Sequence, residues 1–375
     1  MKKTYFRAGG DKAEPFSPNW LNISFVVPIH LAGLLAWPIY VAMGGGIQWQ
    51  ECAAFVFMFA LGAIGVDVGY HRGFSHLSFK MSTPLKILAL FGGASVAEGS
   101  VLTWCSDHRR HHKFQDTDQD PYNIKRGFWW AHIGWIFGNA TTTNFANCPD
   151  LERDPWIRNQ HKYYIWWLLV SSFLLPLGIG FLLGRPLATF LFAGLTRLMF
   201  IDHCTFLINS YAHYFGRRPY STEITARDSL ICALLAQGEG WHNFHHRFPW
   251  DYRNGHRFYH YDPTKWFIYF GQFLGLTRNL KVTPAPEIYR ARIQTLKGKV
   301  QSDCPKFSKV SESLDAALLK WHHLSMEWQS FKNGIGHAGS EQMQQIAKNL
   351  EEAKQDFKEK FNEWRVAHRS QPSIA

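Results

Sequence analysis

The stretch YIWWLLVSSFLLPLGIGFLL, residues 164–183, contains no charged side chain. A helix rises about 1.5 Å per residue, so about 20 helical residues cross the roughly 30 Å hydrocarbon core of a bilayer. Three other runs have a similar length and composition: residues 22–45, residues 52–70 and residues 186–208. As buried helices, four such runs would overfill one soluble core in a chain of 375 residues. We therefore predict an all-α integral membrane protein whose four transmembrane helices pair as two hairpins.

The basic residues are distributed unevenly around these runs. The connection at residues 43–51 carries no Lys or Arg and that at residues 184–187 carries one, whereas residues 71–163 carry eleven and residues 1–20 carry four. Because short cytoplasmic loops are enriched in Lys and Arg, we expect both termini and the 71–163 segment, with any active site on it, to be cytoplasmic. The net charge of +11 is then explained by the position of these segments beside the anionic lipid leaflet. Nucleic-acid binding is less favoured, because the basic residues form no continuous stripe.

A fifth apolar run, PLKILALFGGASVAEGSVLTW, occupies residues 84–104. It is interrupted by Lys86, by Gly92-Gly93 and by Glu98. We therefore expect an interfacial helix, or one that dips into the bilayer and returns, rather than a fifth crossing.

The C-terminal region has a different pattern. Apolar residues repeat at spacings of three and four on both sides of a glycine-rich break at residues 333–336. This pattern predicts an antiparallel helical hairpin, with Ser340 as the N-cap of its second helix, that caps the domain or assembles a homo-oligomer. The predicted domains are as follows: a cytoplasmic segment at residues 1–21, a membrane domain at residues 22–290 and the hairpin at residues 297–375.

Nine of the 19 histidines fall at close spacing in four places. They are His71 and His76 in HRGFSH, His108, His111 and His112 in DHRRHH, His213 in NSYAHYFG, and His242, His245 and His246 in GEGWHNFHH. Positions i, i+3 and i+4 share one face of a helix, so each triplet aims three imidazoles in one direction. Asn209 precedes His213 by four residues and can face the same site. The other histidines lack this spacing, and we interpret them as ordinary residues.

Imidazole nitrogens suit iron, zinc, copper or nickel. Nine of them exceed what one ion usually binds, which indicates two metals with room for water or dioxygen. Only one Glu-x-x-His pair, Glu239 with His242, is present, so the soluble di-iron carboxylate bundle is disfavoured. Six scattered cysteines without C-x-x-C argue against a disulfide framework or an iron–sulfur site. If residues 84–104 crossed the bilayer once, the first two histidine groups would lie about 30 Å apart and could not reach one site. We therefore expect that this segment does not cross once.

In these motifs the sequence resembles the membrane fatty-acid desaturases of the Δ9 acyl-CoA and acyl-lipid type. The resemblance covers about residues 60–270 and is carried by HRGFSH, WCSDHRRHH, DPYNIKRGFWWAHIGW, NSYAHYFGRRPY, ARDSL, and GEGWHNFHHRFPWDYRNGH with DPTKW. It implies an enzyme that uses dioxygen to introduce a cis double bond, at Δ9, into a saturated acyl chain carried on CoA or a glycerolipid. His242, rather than Gln, at the start of H-x-x-H-H favours this branch over the front-end desaturases.

The resemblance also implies a di-iron centre held by the nine histidines, with Asn209 reaching a metal through water. It implies that the thioester head group docks near Asp107, Lys125 and Arg126, and we expect Trp104 and the 84–104 segment to line an apolar acyl tunnel. Leu77 stands where the family usually has a basic residue, which argues against a head-group contact there. Five acidic residues are candidate acceptors that fix the imidazole tautomers: Asp107, Asp116, Asp118, Asp120 and Glu239.

The chain contains no His-Pro-Gly-Gly haem motif. We therefore expect electrons from a separate donor, either a ferredoxin or a cytochrome b5-like protein with its reductase. The nearest alternative function is a membrane di-iron hydroxylase or alkane monooxygenase, which would share the metals and differ in substrate. A histidine-rich metal transporter is less favoured, because it would place its ligands at mid-membrane rather than at helix ends.

Overall fold

The computed structural model describes residues 17–138, 144–300, 304–332 and 340–372. The chain divides into two compact units. The first comprises the described residues up to Arg217 together with Ile224–Val282, and the second comprises Arg218–Glu223 and the described residues from Thr283 onward. The described part of the chain is mostly helical, as the sequence predicted.

The first unit has ten main helices among its described residues. In chain order with two short strands they are α1 (Trp20–Ala42), α2 (Trp49–Ser75), β1 (Lys80–Met81), α3 (Thr83–Ala94), α4 (Val101–Phe114), α5 (Pro155–Lys162), α6 (Tyr164–Leu182), α7 (Pro186–Tyr214), α8 (Leu230–Leu235), α9 (His242–Arg247), α10 (Pro263–Gly271) and β2 (Thr277–Arg278). Shorter helical turns lie at Ile124–Arg126, Trp130–Gly134, Trp135–Phe137 and Pro149–Glu152. The strands pair antiparallel, with Lys80 opposite Arg278.

Four helices of the described chain are long and apolar enough to cross a membrane: α1, α2, α6 and α7. They coincide with the four predicted runs, and α1 and α2 both pack against α7. Large apolar side chains point outward from them, including Leu34, Phe57 and Leu182. In water this exposure would forfeit about 25 cal/mol for each Å² of apolar surface, so the outward faces suit lipid.

Two of these helices continue beyond the apolar runs from which they were predicted. The helix α2 reaches Ser75 instead of residue 70, and α7 reaches Tyr214 instead of residue 208. The additional turns are polar and carry His71 and His213. The spanning helices therefore deliver ligand-type side chains at their ends.

Residues 84–104 do not form one continuous helix, and their position relative to the membrane stays a prediction. The run is divided into α3, which ends at Ala94, and α4, which begins at Val101. Between them Ala97 and Gly99 adopt left-handed backbone conformations, with φ of 59° and 98°, and a helix cannot continue through them. Ser100 then caps α4 by accepting a hydrogen bond from the backbone N–H of Thr103 at 3.4 Å.

Glycine allows α3 to pack directly on α2. Gly65 of α2 lies against the backbone of Gly92 and Gly93 on α3, with no space for a side chain on Gly65 or Gly92. Small residues of this kind let helix backbones approach closely in membrane proteins. The Gly-Gly pair that interrupts the apolar run is therefore a packing surface that fixes α3 beside the last turns of α2.

The second unit contains α11 (Ala285–Lys297), α12 (Pro305–Lys332) and α13 (Ser340–Arg369). The predicted heptad stripes pack α12 on α13 around Trp321, Phe357 and Trp364, and the Trp364 indole donates a hydrogen bond to Ser311. The predicted turn at residues 333–336 lies outside the described residues, as does most of the segment at residues 1–21. The division into three domains stays a prediction.

Candidate metal centre

The last turns of α2 bring His71 and His76 together through a π-helix. An α-helix would place residues five apart on different sides, but Ile64–Ser75 winds more widely. The backbone N–H of His76 donates to the carbonyl of His71 at 3.2 Å, which is the i to i+5 bond of this geometry. Their ring centroids lie 4.9 Å apart. The five-residue spacing of the two histidines in HRGFSH therefore suits a π-helical turn.

The other seven histidines lie on three helices of the same unit. The helix α4 carries His108, His111 and His112, α9 carries His242, His245 and His246, and His213 lies in the last turn of α7. The structure divides all nine histidines into two groups. In each group, every histidine has one ring nitrogen that lies within 4.8 Å of those of the other members. The five-histidine cluster contains His71, His76, His108, His112 and His245, and the four-histidine cluster contains His111, His213, His242 and His246.

Hydrogen bonding alone cannot satisfy the five-histidine cluster. The Nε2 atom of His245 lies 3.0 Å from Nε2 of His71 and 3.0 Å from Nε2 of His112. The Nε2 atoms of His76 and His108 are 2.8 Å apart. Each neutral ring nitrogen is either a donor or an acceptor, so several Nε2 atoms converging on one point need a shared partner. Nitrogens bound at right angles to one ion at about 2.0–2.1 Å would lie roughly 3 Å apart, which fits these separations.

The four-histidine cluster shows the same arrangement. The Nε2 atom of His242 lies 3.1 Å from that of His213 and 3.0 Å from that of His246. The fourth ring, His111, has a buried Nε2 with no hydrogen-bond partner. A buried polar atom without a partner is costly, and a cation held by the four rings would satisfy it. Both donor sets therefore fit a bound metal ion.

Burial keeps these rings in the form that binds metal. Burial is the main cause that holds the pKa values of six histidines well below the ordinary range, and repulsion from neighbouring imidazoles is the second. These histidines are His76, His108, His112, His242, His245 and His246. At neutral pH these rings are uncharged and can offer a lone pair to a cation.

Three histidines have an oxygen close to their other ring nitrogen. Nδ1 of His71 lies 2.9 Å from Oε2 of Glu239, and Nδ1 of His111 lies 2.8 Å from Oδ1 of Asp120. Nδ1 of His213 lies 2.8 Å from the Thr225 hydroxyl, which itself donates to Asp116 at 2.6 Å. A proton on each Nδ1 leaves Nε2 free to bind an ion. Of the five acidic residues proposed from sequence, Asp120 and Glu239 face an imidazole directly, and Asp116 acts through the Thr225 hydroxyl.

A buried ionic group supports Glu239 from behind. Arg72, which is 1% exposed, donates to Oε1 of Glu239 at 2.8 and 3.1 Å and to the two carboxylate oxygens of Asp262 at 3.0 and 3.2 Å. Asp262 also accepts hydrogen bonds from the backbone of Asn254, Gly255 and Lys265. Although burial raises the pKa of Glu239, the charges of Arg72 and His71 and their hydrogen bonds lower it to about 2. The carboxylate facing His71 is therefore ionised.

Sequence reasoning did not identify Arg72, Asp262 or Thr225 as site residues. Two signals were available. Arg72 is a charged residue directly after an apolar run, where a buried cation must find a counter-ion. Asp262 is the first residue of the DPTKW motif. This motif contributed to the family resemblance, but no structural role was assigned to its residues.

The predicted substrate residues lie in different surroundings. The Trp104 ring stacks on His108 with centroids 4.9 Å apart, and its indole N–H donates to Glu98 at 3.0 Å. Asp107 is half-buried on α4. Lys125 and Arg126 are exposed: the Lys125 ammonium donates to the carbonyl of Asp116, and the Arg126 guanidinium lies 3.6 Å from the centre of the Trp130 ring.

The predicted role of Asn209 stays a prediction. Asn209 is half-buried and ends a regular α-helical stretch of α7, four residues before His213. This position is compatible with a water-mediated contact to the four-histidine cluster.

Asp228 of the ARDSL motif anchors the start of α9. Its Oδ1 accepts hydrogen bonds from the backbone N–H groups of Asn243 at 2.9 Å and Phe244 at 3.1 Å. Asp228→Ala leaves these donors unpaired. We therefore expect the free energy of unfolding to fall by about 0.5–2 kcal/mol, which thermal unfolding in detergent can measure. Asp228→Asn keeps an acceptor oxygen and should lose less. Equal stability of the alanine variant and the unchanged protein would contradict this role.

These features agree with the comparisons with known proteins. The sequence profile of the fatty acid desaturase family matches residues 18–269, and the chain belongs to this family. It is 39% identical over 278 residues to the probable acyl-CoA desaturase of Schizosaccharomyces pombe, covering 73% of this chain and 58% of that protein. It is 38% identical over 296 residues to acyl-CoA desaturase 1 of Saccharomyces cerevisiae, covering 77% of this chain and 57% of that protein.

A human relative matches a slightly shorter part of the chain. Stearoyl-CoA desaturase 5 of Homo sapiens is 36% identical over 246 residues, covering 64% of this chain and 74% of that protein. The match to the two yeast relatives spans less than three-fifths of their length. The matched family region includes all nine clustered histidines.

Proposed function

We propose that the protein is a dioxygen-dependent fatty acyl desaturase that places a cis double bond at Δ9 of a saturated acyl chain. The observation that carries this proposal is the pair of histidine clusters at the ends of apolar helices in a chain of the fatty acid desaturase family. The names of the related proteins favour CoA as the acyl carrier over a glycerolipid. The choice of Δ9 rests on the H-x-x-H-H motif that begins at His242.

We propose two iron ions as the cofactor, one in each cluster. An unactivated methylene group has no acidic proton, so acid–base chemistry alone cannot break its C–H bonds. Dioxygen chemistry needs a redox-active metal, which zinc is not, and imidazole ligands suit iron. Bound iron would supply the oxidation by dioxygen.

The balance of the reaction defines what the protein must supply. One saturated –CH2–CH2– unit, one dioxygen, two electrons and two protons give one –CH=CH– unit and two waters. The electrons come from a separate one-electron donor, for which we propose a ferredoxin or a cytochrome b5-like protein with its reductase. The protons come from solvent and must reach a centre whose ligands are largely buried.

The side chains of this protein have four tasks in that scheme. The nine imidazoles stay neutral and face two ion positions, while Glu239, Asp120 and Thr225 hold three of the rings in orientation. The Trp104 ring covers one side of His108 and excludes water there. We propose that the acyl chain enters beside Trp104, with its head group near the exposed Lys125 and Arg126. We also propose that both termini and the metal centre lie on the cytoplasmic side. The α12–α13 hairpin would cap the domain or assemble a homo-oligomer.

The test is expression in a host that lacks its own Δ9 desaturase. Mass spectrometry of the lipids should show new cis-Δ9 acyl chains, and purified protein with defined acyl-CoAs, dioxygen and an electron donor should form the same product. His246→Ala serves as the matched inactive control. Only hydroxylated products would replace this proposal by the hydroxylase alternative. Unchanged unsaturation with both metals bound would reject desaturation.

Metal removal is expected to destabilise the protein. Without an ion the converging Nε2 atoms lose their shared partner, and any ligand bound only by the folded state adds to its stability. Chelator treatment should lower the thermal unfolding midpoint, and Fe²⁺ should restore both midpoint and activity. Zn²⁺ should restore the midpoint without activity. An unchanged midpoint after complete metal removal would contradict the proposed ligand set.

A further inference from the structure

Arg109 of α4 pairs every N–H group of its side chain. A guanidinium carries five such donors in a rigid plane. Nε donates to the carbonyl of Ser75 at 3.0 Å, and Nη2 donates to the carbonyl of Phe74 at 2.7 Å. Nη1 donates to the carbonyl of Asn147 at 2.9 Å. The remaining two N–H groups donate to the two carboxylate oxygens of Asp150 at 2.7 and 2.8 Å. These bonds together hold the guanidinium in one orientation.

Two of the acceptors are carbonyls at the end of the π-helix in α2. The last carbonyls of a helix have no donor within it, and here the helix ends at Ser75. The chain changes direction just beyond, because Leu77 has a left-handed backbone conformation with φ of 50°. The backbone N–H of Ser78 then donates to the carbonyl of Arg72 at 2.9 Å. Arg109 supplies donors to this helix end, where a positive side chain is also favoured by the helix dipole.

The peptide unit that joins Ser75 to His76 is held on both sides. Its carbonyl accepts a hydrogen bond from Nε of Arg109, and its N–H donates to the carbonyl of His71 at 3.2 Å. Because a peptide unit is planar and rigid, these two bonds fix the point at which the His76 side chain leaves the backbone.

The ring that faces His76 belongs to the residue directly before Arg109. The Nε2 atoms of His76 and His108 lie 2.8 Å apart in the five-histidine cluster. Arg109 therefore connects the backbone that carries one of these rings to the backbone that carries the other. A functional arrangement of ligands must be held to within about 0.5 Å, so a small shift of α2 along α4 would spoil the shared position.

The shape of the guanidinium accounts for this connection better than its charge. The side chains of Arg109 and Asp150 are 18% and 39% exposed, and an ion pair at such a surface adds little stability by itself. The two parallel bonds to Asp150 instead fix the plane of the guanidinium, which directs Nε and Nη2 at adjacent carbonyls. A lysine ammonium carries its three donors at one point and cannot reproduce this pattern.

The alternative role for Arg109 is to attach the segment at residues 144–152 to α4. A separate pair of bonds already makes that attachment. The Ser106 hydroxyl donates to Oδ1 of Asn147 at 2.8 Å, and Nδ2 of Asn147 donates to the carbonyl of Ser106 at 2.8 Å. These two bonds do not involve α2. Ser106→Ala therefore weakens the attachment of the same two segments and provides a matched control for Arg109.

We propose that Arg109 is a positioning residue of the five-histidine cluster. Its guanidinium, oriented by Asp150, fixes the end of α2 against α4, so that His76 and His108 face one ion. Arg109 acts through these two ligands and is not a ligand itself. The inference rests on the proposed function, because it assigns one of the two proposed irons to this cluster.

The first test measures metal affinity without turnover. Metal-free protein carrying His246→Ala, which weakens the four-histidine cluster, is titrated with Co²⁺ against a competing chelator. Adding Arg109→Gln should lower the Co²⁺ affinity of the five-histidine cluster about 10- to 100-fold, as expected for the loss of a group that orients a ligand. Ser106→Ala should leave this affinity unchanged, even if the midpoint of thermal unfolding falls. Full affinity in Arg109→Gln, or an equal loss in Ser106→Ala, would overturn the proposal.

Two milder variants keep the test decisive if Arg109→Gln does not fold. Arg109→Lys retains the positive charge without the planar fork, and Asp150→Asn retains the guanidinium without its bidentate partner. Both should lower the Co²⁺ affinity in the same direction by a smaller factor. Full affinity in both variants would show that the fork does not position the cluster and would overturn the proposal.

A double variant tests whether Arg109 acts through His76. In a chain that already carries His76→Ala, the further change Arg109→Lys should lower the Co²⁺ affinity by a smaller factor than it does alone. Two groups that act on the same contact give such non-additive losses. An equal factor in both backgrounds would show a general effect on the site and would overturn the proposed route.

Turnover distinguishes positioning from a direct part in the reaction. Arg109→Lys should lose desaturase activity when Fe²⁺ is limiting and regain most of it in excess Fe²⁺, because the loss lies in metal affinity. Activity that stays low with both irons bound would overturn the positioning role. If the unaltered protein forms no double bond, the proposed function fails, while the Co²⁺ affinities still decide the role of Arg109.

Discussion

His245→Ala is expected to abolish desaturation and to release one of two bound irons. His245 connects the five-histidine cluster, because its Nε2 lies 3.0 Å from the Nε2 atoms of both His71 and His112. Losing an outer partner of a metal ligand typically costs about 10- to 100-fold in affinity or activity, and losing the ligand itself should exceed that. Iron analysis of the purified variant should show about one iron per chain, since the four-histidine cluster does not contain His245.

The control for this experiment is His323→Ala, which removes an exposed histidine of α12. This variant should keep two irons and full activity. Retained desaturation with two irons in His245→Ala would show that the five-histidine cluster is not a metal site. Loss of both irons would instead show that the two clusters bind metal cooperatively.

Arg72→Met is expected to cause a large loss of stability. The substitution keeps much of the side-chain volume but leaves the carboxylates of Glu239 and Asp262 without their buried counter-ion. Removing one partner of a buried ion pair typically costs about 3–5 kcal/mol. Thermal unfolding in detergent should show a much lower midpoint, and iron content should fall because Glu239 no longer holds His71 in orientation.

Two comparisons separate this effect from general sensitivity. Arg158→Met removes an exposed arginine of α5 and should change stability by no more than about 0.5 kcal/mol. The double variant Arg72→Met with Asp262→Asn removes one of the stranded charges, so its loss should be smaller than the sum of the two single losses. Strict additivity would contradict a direct Arg72–Asp262 interaction.

The membrane helices could be predicted from sequence because their signal is local. A run such as residues 164–183 is apolar throughout, and the observed helix differs from it by one residue, ending at Leu182. The ends of α2 and α7 were harder to place. Their last turns contain polar residues that a hydropathy pattern assigns to loops, yet His71 and His213 lie in these helical turns, each in a different cluster.

The nine histidines could be found by spacing, but their division into two clusters could not. His111 and His112 are neighbours in sequence and on α4, yet they belong to different clusters. Their separation depends on where α9 and the end of α7 lie, which is tertiary information. The Arg72–Asp262 pair joins residues 190 positions apart, and no local pattern encodes such a contact.

The π-helix at Ile64–Ser75 makes the length of this segment as important as its composition. Deleting Gly73, Phe74 or Ser75 would leave an apolar helix that still fits a bilayer and would favour ordinary α-helical winding. The two histidines would then be four apart, and the rest of the segment would turn by about 100° relative to Arg72. Such a chain would still insert into the membrane and would lack a working centre. Insertions and deletions here are therefore expected to be far more damaging than most substitutions.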